Sequence, residues 1–402
     1  MAKLPLEGVK VCDFCWVWTG PTTTKVLADF GATVVRIESK KRLGVWRIQP
    51  PFKDDIPGPN RGAVFNSINT GKMSVTINLA HPKGIELAKR FVAWADVVTD
   101  NFAGGSIERM GLGYEELKKV KPDIIMMSSS LMGQYGPWHN SPGYGDQLSA
   151  ISGVNEISGW PDRIPGEIGY YTDFVAPRFN ALTILAALDY RRRTGKGLYL
   201  DIAQHQAGVQ FVAPLLLDYL VNKRVATRRG NKDDYAAPHN TYPCRGEDRW
   251  CAICVFTEEQ WHSFCNVIGN PEWTKDPRFA TLQGRKENEE ELDRLVAAWT
   301  VNHTDEEVMT LMQAAGVGAG RVTDARDQME DPHLRQRNFY QEQDHPEIGK
   351  YHPPRQPCVL SKTPCQIRRA PLIGEHTEYA LKEILGMSDD EIAELVIEDV
   401  LT

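Results

Sequence analysis

The chain has 402 residues, of which 42% are hydrophobic and 25% charged, and a formal net charge of −7. That length predicts two or three domains with a sizeable buried core, and the acidic balance excludes a general nucleic-acid binder, which needs a basic surplus. No run approaches the roughly 20 apolar residues of a membrane span, the opening Met1-Ala-Lys-Leu-Pro lacks the apolar core of a secretion signal, and eight cysteines scattered over a long chain suit a reducing compartment. A soluble cytoplasmic protein is expected.

In chain order, Gly8 to Phe14 reads as a short strand. Thr22 to Phe30, with Val26, Leu27 and Phe30 at helical spacing, reads as a helix stopped by Gly31, and Thr33 to Ile37 as the next strand. A strand at Ser74–Leu79 leads to a helix opened by Pro82 and running to Trp94. Strand Asp96–Thr99, a helix around Tyr114–Val120 and strand Asp123–Ser129 follow. This rhythm predicts an α/β fold with a doubly wound, mostly parallel sheet, whose ligands bind where the strands end.

Residues 131–175, rich in Gly, Pro, Tyr and Trp, read as ordered loop with short helical pieces. A helix from Arg178 to about Thr194 is ended by Gly195-Lys-Gly197. Strand Leu198–Ile202 and a helix from about Gln204 to Leu220 come next. Gly230-Asn231 marks a boundary, beyond which Trp250–Phe256 is strand-like and Glu258–Ile268 and Glu290–Trp299 are helical. Residues 331–371 are loop-rich, and the tail is helical over Glu375–Leu385 and Asp389–Leu395. Cys12/Cys15 and Cys251/Cys254 have metal-like spacing, but each pair sits in an apolar strand-like run without the turn a zinc knuckle needs. They read as core thiols, and no metal is expected.

Several phrases recur in a fixed order: Leu6-Glu-Gly-Val-Lys-Val-Cys-Asp-Phe14; Thr19-Gly20-Pro21; Leu27-Ala-Asp-Phe-Gly-Ala-Thr-Val-Val-Arg-Ile-Glu38; Asn69-Thr-Gly-Lys72; Asn101-Phe102 before Arg109-Met-Gly-Leu-Gly113; Gly133-Gln-Tyr-Gly-Pro137; Tyr171-Thr-Asp173; Gly230-Asn231; and Ala370-Pro-Leu-Ile-Gly-Glu-His-Thr377. Together they resemble the class III CoA-transferase family, which includes formyl-CoA, carnitine and benzylsuccinate CoA-transferases and the related α-methylacyl-CoA racemases. The resemblance runs from about residue 5 to 395.

On its own, Asp173 reads as the N-cap of the helix that follows it. The resemblance implies that it is the nucleophile that carries the acyl group and then CoA. The roles are compatible, because a helix N-terminus favours the ionised carboxylate that attacks a thioester. Lys72 and Arg109 read alone as solvated charges and Phe102 as core. The resemblance implies instead that Lys72, Asn101, Phe102 and Arg109 hold the nucleotide end of CoA, offering charge, an amide and a stacking face. It also places Val17 on the CoA path and Lys40 or Arg42 near the adenine.

Trp18 stands where several relatives carry a polar Gln or Arg, which suggests a larger or aromatic acyl group. Tyr144 belongs to the expected substrate pocket. Gly143-Tyr144-Gly145-Asp146 lacks the His that racemases carry there, which argues against racemisation. Tyr144-Gly145-Asp146 and Gly133–Gly136 are the candidate sources of oxyanion donors.

The resemblance further implies a discontinuous large CoA-binding domain of residues 1–200 and 345–402, linkers at 201–229 and 326–344, and a smaller α+β domain at 230–325. It implies an interlocked homodimer or a heteromer with a related subunit. The expected partners are an acyl-CoA, such as succinyl-CoA, and a carboxylic acid, aromatic or dicarboxylic, with benzylsuccinate as a candidate. Coenzyme A is then substrate, not resident cofactor. The rival expectations are an acyl-CoA racemase or isomerase of the same fold and a CoA-binding subunit of a hetero-oligomeric transferase.

Overall fold

Strands buried on both faces need continuous apolar runs, because neither side meets water. In the computed structural model, which describes residues 4–402, six strands line up: β1 (Lys10–Asp13), β2 (Thr33–Glu38), β3 (Met73–Thr76), β4 (Val97–Asp100), β5 (Ile125–Ser130) and β6 (Leu198–Ala203), the first five buried almost throughout and the edge strand β6 half-buried. All neighbours pair in parallel, in the order β3-β2-β1-β4-β5-β6. β1 pairs with β2 on one side and with β4 on the other, so the order reverses there. The chain segments leaving β1 and β4 diverge and open a crevice at their carboxyl ends.

Successive side chains of a strand point to opposite faces, and the sheet has two cores accordingly. One gathers Cys12, Val35, Val98 and Met126 with Phe91, Leu381 and Leu395. The other gathers Val11, Val34, Val97 and Ile125 with Leu27 and Ile184.

The helices that bear on the site are α1 (Thr19–Asp29), α2 (Pro82–Trp94), α3 (Gly145–Ile151), α4 (Tyr171–Thr194) and α5 (Gln204–Gln210). Three departures from the sequence expectation have physical causes. Helix α1 begins at Thr19, not Thr22, because Gly20 and Pro21 fit a first turn whose N–H groups have no helical acceptors anyway. Helix α4 begins at Tyr171, not Arg178, and carries Pro177 inside it. Without an N–H, Pro177 leaves the Asp173 carbonyl, four residues back, without its helical donor. The helix expected over 204–220 is two helices, α5 and Ala213–Asn222, the second with Pro214 in its first turn.

The chain divides into two compact units. The first holds the residues up to Asn155, Glu167–Ala226 and His333–Thr402. It contains the parallel sheet and a small hairpin of β10 (Gln343–His345) and β11 (Gly349–Tyr351). The second, Glu156–Gly166 and Thr227–Pro332, is built on an antiparallel sheet of β7 (His239–Pro243), β8 (Trp250–Cys254) and β9 (Gly318–Arg321). Its core contains Tyr242, Cys251, Trp261, Phe264, Leu292 and Met312. Among the described residues no helix is long and apolar enough to cross a membrane.

Candidate active site

The turn from β1 into α1 is fixed by buried polar groups. Asp13, at the end of β1, accepts hydrogen bonds from the Cys15 N–H (3.0 Å), Thr99 Oγ1 (3.0 Å) and Thr24 Oγ1 (2.7 Å). Burial pushes its carboxyl up, but Lys72, Arg36 and these hydrogen bonds outweigh burial and hold it below the usual range. Arg36 Nη1 donates to the Cys15 carbonyl at 2.7 Å. Asn101, just past β4, accepts from the Trp16 N–H and donates to the Trp16 carbonyl, both at 2.7 Å. With its neighbours pinned, Val17 is held at φ 58°. A β-branched residue resists that region, at a cost on the order of 1–3 kcal/mol. Gly20 permits the close approach of α1, since a Cβ there would lie 2.4 Å from the Cys15 side chain.

Across the crevice stands Asp173, 7% exposed. It is the third residue of α4 rather than its cap, a position that Tyr170 takes. The Thr19 hydroxyl donates to Asp173 Oδ1. Oδ2 packs on Gly145, where a Cβ would sit only 2.2 Å away. Burial pushes the carboxyl up to about 6; the Thr19 hydroxyl pulls it down and the charge of Asp146 pushes it up. The helix terminus is thus not what sets the charge of this carboxylate. Among the described residues no backbone N–H reaches it, and burial dominates. At about 6 it remains roughly nine-tenths ionised at pH 7 and is more basic than an ordinary Asp.

These groups share a cavity of ≈ 470 Å³. Trp16, Val17, Trp18 and Thr19 come from the end of β1, and Asn101, Phe102 and Ala103 from the end of β4. Arg42, Leu131, His139, Ser141–Gly145, Asp173 and Gln204 complete the wall. Trp18 is packed against Trp46 (ring centroids 5.3 Å), Phe174 (5.3 Å) and Tyr170 (6.0 Å, stacked). Tyr144 is 57% exposed, and its N–H donates to Gln147 Oε1. An adjoining cavity of ≈ 710 Å³ shares Trp16, Arg42 and Phe102 with the first and extends over Ser39, Lys41, Asn78 and Ser106. Arg42 lies over the Trp16 ring at 5.0 Å, and Phe102 meets the same ring edge-on at 6.1 Å.

The expected site residues therefore separate. Val17, Trp18, Asn101, Phe102, Tyr144 and Asp173 come together at one cavity. Asn101, however, spends both ends of its amide on Trp16, so its part is to hold the turn. Lys72 is elsewhere: its side chain is fully buried, with Nζ bonded to the Pro21 carbonyl (2.8 Å), Asn69 Oδ1 (3.0 Å) and Asp13 Oδ2 (3.3 Å). Burial brings its pKa down to about 8, Asp13 opposing and Arg36 adding to the fall. An ammonium so enclosed has no face for a phosphate, which corrects the expectation for Lys72. Arg109 is exposed and donates to Ser106 Oγ, at the margin of the larger cavity. The Gly133–Gly136 loop is outside both walls, with the Gln134 N–H tied to Asp201 Oδ1 at 2.9 Å.

The sequence reading missed Thr19, Gln204 and His139. Thr19 lay inside one of the ordered phrases, Thr19-Gly20-Pro21, with no role of its own. Gln204 directly follows β6, so the rule that ligands sit at strand ends pointed to it. Its buried Oε1 has no hydrogen-bond partner among the described residues. His139 had no local signal, and its Nδ1 is engaged by the Gly136 carbonyl at 2.8 Å.

Comparison with known proteins gives the chemistry a frame. Residues 6–377 match CoA-transferase family III. The chain is 33% identical to a succinyl-CoA–D-citramalate CoA-transferase of Chloroflexus aurantiacus, over 99% of this chain and 98% of the relative. It is 30% identical to the beta subunit of a succinyl-CoA–L-malate CoA-transferase from the same organism, over 98% and 97%. A crystal structure of a CaiB/BaiF family protein from Brucella suis superimposes with a TM-score of 0.88 at 30% identity, covering 95% of this chain and 100% of that one. A doubly wound sheet, a crevice at its switch point and this match over nearly the whole length agree: the chain belongs to CoA-transferase family III and is an enzyme that transfers coenzyme A between acyl groups.

Proposed function

We propose that the enzyme moves CoA from succinyl-CoA to a dicarboxylic acid through covalent intermediates on Asp173. The observation that carries this reading is the Asp173 carboxylate, buried yet bordering the crevice and pushed up to about 6 by that burial. Asp173 attacks the thioester carbonyl, giving a mixed anhydride and CoA thiolate. The thiolate attacks the aspartyl carbon and expels succinate, leaving an aspartyl-CoA thioester. The acceptor carboxylate then attacks this thioester, and the released thiolate takes the new acyl group from the second anhydride, restoring Asp173. Each step exchanges one anion for another, so no proton needs to move, and the thioester energy is conserved.

The two relatives support the donor and the acceptor class: both are named for succinyl-CoA, and D-citramalate and L-malate are dicarboxylic acids. The aromatic group around Trp18 supports an acceptor with an apolar or aromatic body, benzylsuccinate among them. The nucleotide end of CoA is assigned to the larger cavity, where Arg42 supplies the charge foreseen for Lys72, while the neighbouring Lys41 is paired with Asp399.

The test is direct. Purified protein is incubated with succinyl-CoA and a panel of dicarboxylic and monocarboxylic acids, then with hydroxylamine. Transfer to a dicarboxylate and a hydroxamate on the peptide containing Asp173 are expected. An adduct on any other residue would sink the mechanism. His139 in the cavity wall revives the racemase reading, which the same mixture in D2O examines: α-deuteration of an acyl-CoA without CoA exchange would favour it.

A further inference from the structure

The two oxygens of Asp173 differ in their surroundings. Oδ1 accepts a hydrogen bond from the Thr19 hydroxyl, and Thr19 is 1% exposed. Oδ2 lies against the bare Cα of Gly145, and no hydrogen bond reaches it from the described residues. Thr19 is also held from below. Its carbonyl accepts from Thr23 Oγ1 at 2.8 Å, and Asn180 of α4 donates to that same Thr23 oxygen at 3.0 Å. Helices α1 and α4 are thereby tied together about one turn beyond Thr19 and about two turns beyond Asp173, which steadies the backbone that carries the hydroxyl.

We propose that Thr19 is a catalytic residue: its hydroxyl donates to Asp173 Oδ1 throughout the reaction, so that Oδ2 is the attacking oxygen and Oδ1 the atom that gathers charge. This rests on the reading of Asp173 as the nucleophile. When Oδ2 bonds to the donor acyl carbon, the C–S bond breaks and the thiolate leaves. When the thiolate bonds to Asp173 Cγ, the Cγ=Oδ1 electron pair moves onto Oδ1. That pair returns as the Cγ–Oδ2 bond breaks, and Oδ2 departs in the donor's acid. Attack by the acceptor carboxylate on the thioester charges Oδ1 again, and its oxygen takes the place of Oδ2. Thr19 keeps its proton at every stage. Its hydrogen bond strengthens where charge concentrates on one oxygen, which is the requirement for lowering a barrier rather than merely binding a ground state.

The experiment compares wild type with Thr19→Val, Thr19→Ala and Thr19→Ser, using succinyl-CoA and isotope-labelled succinate as acceptor, with hydroxylamine trapping in parallel. Thr19→Val and Thr19→Ala should lower kcat about 10²-fold with KM for succinyl-CoA changed less than about threefold, and Thr19→Ser should recover most of the loss. The acidic limb of the rate profile should move to higher pH in the two variants that lack the hydroxyl, since Thr19 opposes the combined effect of burial and Asp146 on Asp173. Wild-type kcat and an unmoved limb in either variant, with Asp173 still trapped as its hydroxamate, overturn the role of Thr19 alone. Absence of any Asp173 adduct in wild type overturns the reading on which it rests.

Discussion

Ionising Asp173 inside the fold is unfavourable, because burial is opposed by only one hydroxyl. A rise from 3.8 to about 6 corresponds to about 3 kcal/mol against the charged form. The sign follows from the direction. The folded state binds the proton more tightly than the unfolded state, so this cost is absent below 3.8 and complete once the pH passes 6. Asp173→Asn should therefore abolish transfer while raising the melting temperature at neutral pH, with the gain shrinking to nothing near pH 4. Thermal melts across pH check this, and a variant less stable than wild type at pH 7 would contradict it. Gly145→Ala tests the other side of the same carboxylate. A Cβ placed 2.2 Å from Oδ2 displaces Asp173, and turnover should fall at least about 10²-fold, as misplaced reacting groups do.

The turn after β1 is strained at Val17 and held by its neighbours. Asn101→Leu removes both bonds to Trp16 and leaves a backbone N–H and a carbonyl without partners. It should cost about 1–3 kcal/mol and slow transfer, since Val17 and Trp18 lose their fixed position. Denaturant titration and kcat/KM measure the two effects separately. Lys72 belongs to the same support. Lys72→Met leaves the buried Asp13 with Arg36 as its only neighbouring cation and should destabilise by about 3 kcal/mol, with KM for acyl-CoA unchanged in the folded fraction. Arg42→Ala should do the reverse, raising that KM about tenfold with little change in stability. If Lys72→Met raised KM and Arg42→Ala did not, the reassignment of the phosphate contact would be wrong.

Over the first unit, α4 and the Ala213–Asn222 helix leave Leu182, Leu216, Leu217, Leu220 and Val221 between 45% and 77% exposed. Large apolar side chains exposed together on a helix such as Ala213–Asn222 are candidates for an interface. We predict that a second copy of the chain covers these side chains. Purified alone, the chain should sediment as a dimer, and Leu217→Glu with Leu220→Glu should dissociate it. A monomer with full transferase activity would overturn the prediction.

Much of this enzyme is legible in local sequence. The strand runs, the helix stops at Gly31 and Gly195, and the ordered phrases depend on residues within a few positions of one another, where propensity and turn chemistry act. The position of Asp173 just ahead of an apolar stretch was legible too. What the sequence could not decide was the direction in which a polar side chain turns. Lys72 and Arg109 are both cations in short motifs, yet one is enclosed by Asp13, Asn69 and the Pro21 carbonyl and the other stands at the surface. Thr19 and Asp173 are 154 positions apart, and only the packing of α1 on α4 brings the hydroxyl to the carboxylate. Charge, burial and hydrogen-bond partners are properties of that packing, so the chemistry of the site had to wait for the tertiary structure.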